Sequence, residues 1–181
     1  MYTSLLAHAL SGGVDSSVAA YLLQAKLNQD QHDRGMVGVH HYIWPGSICC
    51  SEEVRERARR LCDRLRIDFH VVDMVEEFRE QVVEDFVRTY IAGETPNPCV
   101  KCNETIRFSS FYRRLQNKFV EEGILDPEGT LYFSTGHYAR IEKTEDGLFI
   151  KQAVDETKDQ SYMLYRLRKE HLSRSLFPLA D

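Results

Sequence analysis

The sequence has no long hydrophobic run and little cysteine, and both absences limit where the protein works. None of its apolar stretches approaches the roughly 20 residues that a helix needs to cross a bilayer. The N-terminus has neither a basic segment followed by an apolar one nor an Arg-rich composition, so we expect no secretory signal or transit peptide. Five cysteines, an odd number, do not suit a disulfide framework. The sequence therefore predicts a cytoplasmic protein with reduced thiols and no membrane partner.

An excess of positive charge is also missing. The 181 residues carry a formal net charge of -5, which argues against indiscriminate binding of polyanions. Contact with a nucleic acid would have to come from a local basic patch. The clearest candidate set comprises Arg107, Arg113, Arg114 and Lys118. The length suits a single domain with a real hydrophobic core.

Two common phosphate-binding motifs are absent as well. There is neither a Walker loop with its Lys followed by Ser or Thr, nor the three spaced glycines of a dinucleotide fingerprint. The apolar run 5–10 is followed instead by SGGVDSS, residues 11–17. A strand that ends at two glycines and continues as a helix directs backbone N–H groups and the positive end of a helix dipole to one place. The segment predicts a phosphate-binding loop, with a tight turn and a helix cap as the alternative.

In the phosphate-binding interpretation each residue of this loop has a purpose. Gly12 and Gly13 let the backbone approach the anion, because a Cβ would obstruct it. The three serines of the segment would donate hydroxyl groups. Asp15 would lie beside a Mg²⁺ ion or the first helical turn.

Strand and helix patterns alternate along the chain and predict an α/β fold, a doubly wound parallel sheet with helices on both faces. Strands are predicted at 36–43, 67–72 and 131–135, and an antiparallel piece at 148–153. Helices are predicted at 17–26, after the N-cap Ser51, and at 75–90, 108–115 and 169–176. Residues 28–34 and 117–129 are predicted to be surface insertions, and 92–102 a loop. The phosphate loop, Gly136 and the loop after Ile43 should meet at the carboxyl edge of the sheet.

The second chemical motif is TPNPCVKCN, residues 95–103. Its two prolines disfavour a regular helix or strand, so Cys99 and Cys102 are predicted to lie on a rigid loop at the mouth of the next helix. The positive end of that helix would favour a thiolate and make Cys102 a nucleophile. The CxxC spacing also suits two corners of a zinc or iron–sulfur site.

The remaining cysteines and most histidines have structural interpretations. Cys62 lies on the apolar stripe of a predicted helix and is interpreted as a small buried hydrophobe. Structural roles are also expected for Cys49, Cys50, His8, His40 and His70. For His137 two interpretations remain open, a contact with a nucleotide phosphate and a hydrogen bond that ends a strand.

The motifs occur in an order that resembles the tRNA-specific 2-thiouridylases, the MnmA family. Between residues 11 and 179 the chain contains SGGVDSS, CCSEEVRERARR, TPNPCVKCNETIRF, TGHYAR, DETKDQSYMLYRL and SLFPL. The resemblance implies the fold of the ATP pyrophosphatases, which is adenine nucleotide alpha hydrolase-like. It also implies that 1–181 is one catalytic domain, which ends before the C-terminal tRNA-binding domains of the family and before a further cysteine.

The resemblance further implies a reaction and a set of site residues. ATP, with Mg²⁺, would adenylate the C2 carbonyl of the wobble uridine in tRNA. Sulfur from a cysteine persulfide, supplied by a persulfide-carrying donor protein, or from a bound sulfide would then displace AMP. Cys102 would handle the sulfur, with Asp15 as the second catalytic residue. The ATP site would comprise Ala9, Leu10, Ser11, Gly12, Gly13, Val14, Asp15, Ser16, His41 and Gly136. The tRNA would contact Asn97, Pro98, Cys99, Lys158, Asp159 and Gln160.

One departure from the family and two alternatives remain open. Many members carry Asp where this chain has Cys99, and the resulting CxxC favours an iron–sulfur cluster on Cys99 and Cys102. One alternative is another ligase or sulfurtransferase of the same superfamily, in which Cys102 has no role. The other is a truncated module that binds ATP and a metal without completing a reaction.

Overall fold

Strands and helices alternate along the residues that the computed structural model describes, 1–30, 35–46 and 51–180. The strands are β1 (Tyr2–Ala9), β2 (Gly35–Tyr42), β3 (Asp68–Asp73), β4 (Leu125–Ser134), β5 (Arg140–Thr144), β6 (Gly147–Lys151) and β7 (Ser175–Leu176). The α-helices are α1 (Val14–Asp30), α2 (Glu52–Leu65), α3 (Val75–Phe78), α4 (Glu84–Ile91), α5 (Pro98–Cys102), α6 (Tyr112–Glu121) and α7 (Lys169–Leu172). π-Helical segments at Arg79–Val83 and Asn103–Phe111 join α3 to α4 and α5 to α6, and a 3₁₀ turn spans Ser161–Met163.

Five strands form a parallel sheet in the order β3-β2-β1-β4-β7. The chain runs outward from β1 through β2 to β3 and then returns to the other side of β1, where β4 pairs with it. The predicted doubly wound α/β fold is confirmed. In such sheets a ligand usually binds at the topological switch point, the crevice at the carboxyl ends of two neighbouring strands where the strand order reverses. Here those strands are β1 and β4.

The central strand β1 separates two hydrophobic cores. Leu5 and Ala7 face the core that contains Phe111, the last residue of the second π-helical segment. Leu6 faces the second core, together with Ala58 of α2. Because helices cover both faces, β1 is buried on both sides, which explains its nearly continuous apolar sequence.

Several boundaries differ from the sequence predictions. Residues 117–129 are not a surface insertion, since Phe119 of α6 and Leu125 of β4 are both fully buried. The predicted helix at 169–176 ends at Leu172, and Ser175–Leu176 pairs with β4 as the edge strand β7. Residues 28–30 continue α1, and the rest of the predicted insertion, 31–34, lies outside the described residues.

Other local predictions are confirmed. The side chain of Ser51 accepts a hydrogen bond from the Val54 amide and caps α2. The antiparallel piece is a hairpin, in which β6 pairs with β5. Across the described part of the chain, no helix combines the length and apolar character that a bilayer span requires.

His8 ties the centre of the sheet to the start of α1. Its Nε2 donates to the Ser16 carbonyl oxygen at 2.8 Å, and its Nδ1 accepts from the Ser134 hydroxyl at 3.1 Å. The carbonyl can only accept, which places the imidazole proton on Nε2. Burial lowers the pKa of His8 to about 4, against the opposing effect of the Ser16 hydrogen bond. The structural interpretation of His8 is confirmed.

The other two histidines with expected structural roles, His40 and His70, are less completely hydrogen-bonded than His8. His40 donates from Nδ1 to the Leu10 carbonyl oxygen at 2.8 Å. Within the described residues, however, the buried Nε2 atoms of His40 and His70 have no hydrogen-bond partner. The ring of His70 instead packs edge-on against Phe119, with centroids 5.0 Å apart. For His70, packing against Phe119 therefore takes the place of a hydrogen bond at Nε2.

Replacement of His8 should reduce the pH dependence of stability. Its folded-state pKa is lowered, so the unfolded chain binds the proton first and stability is lost as pH falls from about 6.5 toward about 4. Between pH 7 and pH 5 the wild type should lose about 2 kcal/mol more than His8→Gln. Urea unfolding at both pH values measures this difference. An equal loss in the two proteins would contradict the prediction.

Candidate active site

The loop after β1 is shaped by two glycines with different environments. Gly12 has a φ of +70°, and a Cβ there would lie 2.9 Å from the carbonyl oxygen of Val54 in α2. A Cβ on Gly13 would meet only the Ser11 Oγ, at 3.4 Å. Gly12 therefore allows the loop to turn and pack against α2, whereas the space beside Gly13 stays open for an approaching group.

The serine hydroxyl groups form hydrogen bonds within the loop. The Ser16 hydroxyl donates to the Gly13 carbonyl oxygen at 3.1 Å and accepts from the Ser11 amide at 3.3 Å. The Ser17 hydroxyl donates to the same carbonyl at 2.8 Å. These hydroxyl protons, which the sequence assigned to an anion, are directed into the loop. The amides of the first turn of α1 have no intrahelical acceptor and remain the natural donors to an anion.

A cleft of about 200 Å³ lies at the carboxyl ends of β1, β2 and β4. It is lined by Ala9, Leu10, Ser11, Asp15, Ser16, His41, Arg107, Thr135, Gly136, His137 and Gln160. The cleft lies beside the junction of β1 and β4, where the topology predicts a ligand. Ligand pockets of small molecules combine a concave shape with a few convergent polar groups, and this cleft has both.

One wall of the cleft depends on the close approach of the chain after β4 to α1. A Cβ on Gly136 would lie 2.9 Å from the Ser16 amide nitrogen and 3.1 Å from the Asp15 carbonyl carbon. The Tyr138 hydroxyl donates to Asp15 Oδ1 at 3.0 Å, and this bond raises the pKa of Tyr138. Gly136 thus allows the contact, and Tyr138 holds the Asp15 carboxylate at the mouth of the loop.

The opposite part of the cleft contains a guanidinium between two imidazoles. Arg107 Nη1 donates to His137 Nε2 at 3.1 Å and to Asn103 Oδ1 at 3.1 Å. Its Nη2 lies 3.4 Å from His41 Nε2. Both imidazole Nε2 atoms must accept, because a guanidinium only donates. The pKa of His137 is lowered to about 3, first by burial and then by the Arg107 charge. The same two causes, in the same order, lower the pKa of His41.

The cysteine motif is helical, so the loop predicted for 92–102 is confirmed for 92–97 and wrong for Pro98–Cys102, which forms α5. Asn97 caps α5, and its Oδ1 accepts from the Val100 amide at 3.1 Å. Pro98 occupies the first helical turn, where its missing N–H costs nothing. Cys99 is exposed in that turn, and Cys102 lies one turn further along, partly buried against the main core. The helix then continues through the π-helical segment to Arg107 and α6.

Comparison with known proteins assigns this architecture to a family. Residues 5–181 match the model described as the tRNA methyl transferase HUP domain. The chain belongs to this family. It is 39% identical over 180 residues to the tRNA-specific 2-thiouridylase MnmA of Clostridium beijerinckii, covering 95% of this chain and 46% of the relative. The corresponding protein of Clostridioides difficile is 39% identical over 181 residues, with the same coverage.

The resemblance to the 2-thiouridylases is therefore confirmed, and the chain spans about half the length of the curated relatives it matches. Among solved structures, the U34-tRNA thiolase NcsA of Methanococcus maripaludis aligns with 75% of this chain and 38% of its own. The TM-score is 0.44 and the identity 21%.

For this member of the HUP domain family, most of the predicted ATP residues converge. Seven of the ten line the cleft: Ala9, Leu10, Ser11, Asp15, Ser16, His41 and Gly136. The other three belong to the loop itself. Gly12 packs against α2, Gly13 faces open space, and Val14 is 77% exposed. Their assignment to ATP remains a prediction.

The residues predicted to contact tRNA are placed in two groups. Asn97, Pro98 and Cys99 form the start of α5. In the second group Lys158 is exposed, while Asp159 accepts from the Ala153 amide and the Ser161 hydroxyl and so organises its own loop. Gln160 lines the cleft, where its Oε1 accepts from the Tyr138 amide at 3.1 Å. Gln160 is therefore placed with the predicted ATP residues.

Sequence reasoning missed part of the site. Asn103, Thr135 and Arg107 were not among the predicted site residues, and Arg107 was grouped with a surface patch. Arg107 lines the cleft, whereas Arg114 pairs with Glu77 and Lys118 pairs with Glu122. The spacing of Asn103 and Arg107, four residues apart in a helix, was the available signal.

The cysteines were also predicted to hold a metal or to serve the structure. Cys62 is buried, and burial raises its pKa to about 12, which agrees with a structural role. Cys49 and Cys50 lie outside the described residues. Over 1–30, 35–46 and 51–180 there is no group of three or more His, Cys, Asp or Glu residues that could hold a metal ion. Cys99 and Cys102 therefore do not complete a cluster site by themselves.

Alanine substitutions at Gly136 and Gly13 test whether the cleft wall depends on the close approach at Gly136. Gly136→Ala should lower the free energy of unfolding by about 1 to 3 kcal/mol, because its Cβ would collide with backbone atoms of Ser16 and Asp15. Gly13→Ala is the matched control, since its Cβ would meet an ordinary contact. Chemical denaturation of both variants measures the effect. Equal stability of the two would show that the close approach is not a constraint.

Proposed function

We propose that this chain is the catalytic domain of an enzyme that uses ATP to replace the C2 oxygen of the tRNA wobble uridine with sulfur. The observation that supports this most directly is that the helix carrying Cys102 also carries Arg107, which lines the same cleft as the loop at the start of α1. A site for a phosphate and a sulfur-bearing helix therefore adjoin. The names of the similar relatives agree with this reaction.

In this proposal ATP occupies the cleft with its pyrophosphate end at α1. The first-turn amides and the helix dipole favour the negative charge. Asp15 is exposed, and its carboxylate is the one acidic group among the residues that line the described cleft. A single carboxylate together with substrate phosphates suits Mg²⁺, which would neutralise the departing pyrophosphate. His41 and Gly136 would line the nucleoside side.

The chemistry then follows in two displacements. The C2 carbonyl oxygen attacks the α-phosphorus of ATP, and pyrophosphate leaves. A sulfur nucleophile adds to C2, and AMP leaves with the former carbonyl oxygen. Activation is needed because an unmodified carbonyl oxygen is a poor leaving group, whereas AMP is a good one. Cys102 would present the sulfur as a persulfide received from a donor protein, and the outer sulfur would bond to C2. A second thiol, for which Cys99 lies one helical turn away, would then attack the Cys102 sulfur. The S–S bond to the transferred sulfur breaks, the sulfur stays on C2, and the two thiols are left as a disulfide.

The proposal uses a persulfide for sulfur delivery. Cys99 and Cys102 supply two thiols one helical turn apart, and the described chain adds no third residue to form a metal group. We assign no step to a cluster on these residues. Asn97, Pro98, Cys99, Lys158 and Asp159 are proposed to contact tRNA. The proposal also includes a cytoplasmic location and a single domain over 1–181.

The role of Asp15 can be tested by nucleotide binding. Wild-type protein should bind ATP with Mg²⁺, and Asp15→Asn should weaken that binding by about tenfold through loss of a charged ligand. Without Mg²⁺ the variant should bind ATP at least as well as the wild type, because the Asp15 carboxylate then only repels the phosphates. Isothermal titration calorimetry measures the affinities, with Asp146→Asn at the exposed hairpin as control. Failure of the wild type to bind ATP would end the proposal.

The role of Cys102 can be tested by product analysis. Cys102→Ser should form no 2-thiouridine in tRNA supplied with ATP, Mg²⁺ and a persulfide donor, yet it should bind ATP as well as the wild type does. Cys62→Ala is the control, because Cys62 is buried in the second core. Mass spectrometry of digested tRNA gives the result. An active Cys102→Ser enzyme would favour the alternative of a ligase that needs no thiol.

A further inference from the structure

Arg107 is a cation in the cleft for which the described structure provides no anionic partner. The carboxylates of the described residues form no ion pair with it, in contrast to Arg114 of the same helical segment, which pairs with Glu77. Its bonded neighbours are Asn103, His41 and His137. All three offer neutral acceptors, since the pKa values of both histidines are lowered. Within the described residues, no carboxylate therefore neutralises the positive charge of Arg107 in the cleft.

The guanidinium also retains unused donors. It has five N–H groups, and three of them account for the contacts with Asn103, His137 and His41. The buried Nε has no hydrogen-bond partner among the described residues, and one N–H of Nη2 is left over. Arg107 lines the cleft, and the remaining Nη2 N–H of this planar, charged group matches an oxygen of a phosphate or carboxylate.

The surrounding contacts fix this side chain before any ligand arrives. Asn103 is buried, and its Nδ2 donates to the Met163 carbonyl oxygen at 3.3 Å while its Oδ1 accepts from Arg107. His137 is held in turn by its Nδ1, which donates to the Thr135 hydroxyl oxygen at 2.6 Å. A donor held in place by other side chains loses little freedom on binding. The arrangement is that of a pre-formed anion contact.

We propose that Arg107 binds the α-phosphate of the nucleotide, the phosphoryl group that stays on the substrate after pyrophosphate leaves. This inference rests on the proposed function. In the adenylated uridine the α-phosphorus is joined to the reacting C2 through one oxygen atom. The phosphoryl group must therefore lie near the sulfur that attacks C2. Arg107 follows Cys102 by five residues in one continuous helical stretch.

The terminal phosphates have a different contact in the same cleft. Ser11, Asp15 and Ser16 line the cleft at the start of α1, and Arg107 lies with His41 and His137. A pyrophosphate held by the amides of α1 leaves the α-phosphate as the remaining anion of the nucleotide. The bound guanidinium would also stabilise the charge that develops on AMP as it departs. Arg107 thus contributes to both displacements through one contact.

Competition binding to the 181-residue chain tests this assignment. A fluorescent ATP analogue is displaced from the wild type, Arg107→Gln, Arg107→Lys and Arg113→Gln by ATP, AMP, adenosine and pyrophosphate. Arg113 is an exposed residue of the same helix and serves as the control. Thermal unfolding of each variant shows whether it is folded.

The expected result is a loss of selectivity for the phosphate. The wild type should prefer AMP over adenosine, and Arg107→Gln should reduce that preference about tenfold or more, as for a lost hydrogen bond to a charged group. Arg107→Lys should retain part of it, because the charge remains while the fork geometry is lost. Pyrophosphate should compete equally with all variants, and Arg113→Gln should match the wild type.

Four other results would contradict the inference or the proposed function. A wild type that binds AMP no better than adenosine, or an Arg107→Gln protein with an unchanged preference, would overturn the inference and leave ATP binding intact. Equal weakening of AMP and adenosine in Arg107→Gln would assign Arg107 a purely structural role and would also overturn it. A wild type that does not bind ATP would refute the proposed function itself.

Discussion

The candidate site depends on the contact between the end of β4 and the first turn of α1. Gly136 has no side chain, so its backbone can lie against the backbone of Ser16 and Asp15. His8 reinforces the junction from inside the sheet by bonding to Ser16 on α1 and to Ser134 on β4. The positive end of α1 is thereby fixed relative to the carboxyl edge of the sheet. A helix terminus is useful for binding an anion only if its direction is fixed. Here the contacts of Gly136, His8 and Ser134 fix it.

The electrostatics of the cleft follow from burial rather than from paired charges. His41 and His137 are buried, and their pKa values are lowered, so they act as neutral acceptors beside Arg107. A carboxylate in their place would have neutralised the guanidinium. Neutral imidazoles position it and leave its charge for a ligand. On the other wall, Tyr138 orients the carboxylate of Asp15 by a hydrogen bond. The cleft thus presents one fixed cation and one fixed anion.

The helical stretch that begins at Pro98 links the two chemical motifs. Asn97 caps it, Cys99 and Cys102 occupy its first two turns, and Arg107 follows in the π-helical segment. The packing of this stretch against the main core, through Phe111 and its neighbours, sets the distance between the cysteines and the cleft. π-Helical segments are uncommon and frequent at functional sites. This one brings Asn103 and Arg107 into the same bonded group.

The sequence by itself determined the features that depend on short stretches of chain. The alternation of apolar and amphipathic segments predicted the α/β fold, and SGGVDSS predicted a loop that starts a helix. Local periodicity and local caps carry that information, because neighbouring residues alone produce it. The ordered motifs also predicted the family. The cysteine helix was missed for a local reason, since two prolines suggest a loop unless the second one occupies the first helical turn.

Only the tertiary structure decided which distant groups meet. The polar stretch 117–129 contains two fully buried side chains, Phe119 and Leu125, because a helix and a central strand pack there. Ser175–Leu176 became a strand because β4 offered it a free edge. Arg107 was predicted to belong to a basic patch but lies in the cleft, because the packing of its helix places it between His41 and His137. Long-range packing balances contributions from many residues far apart in sequence, so no short motif specifies it.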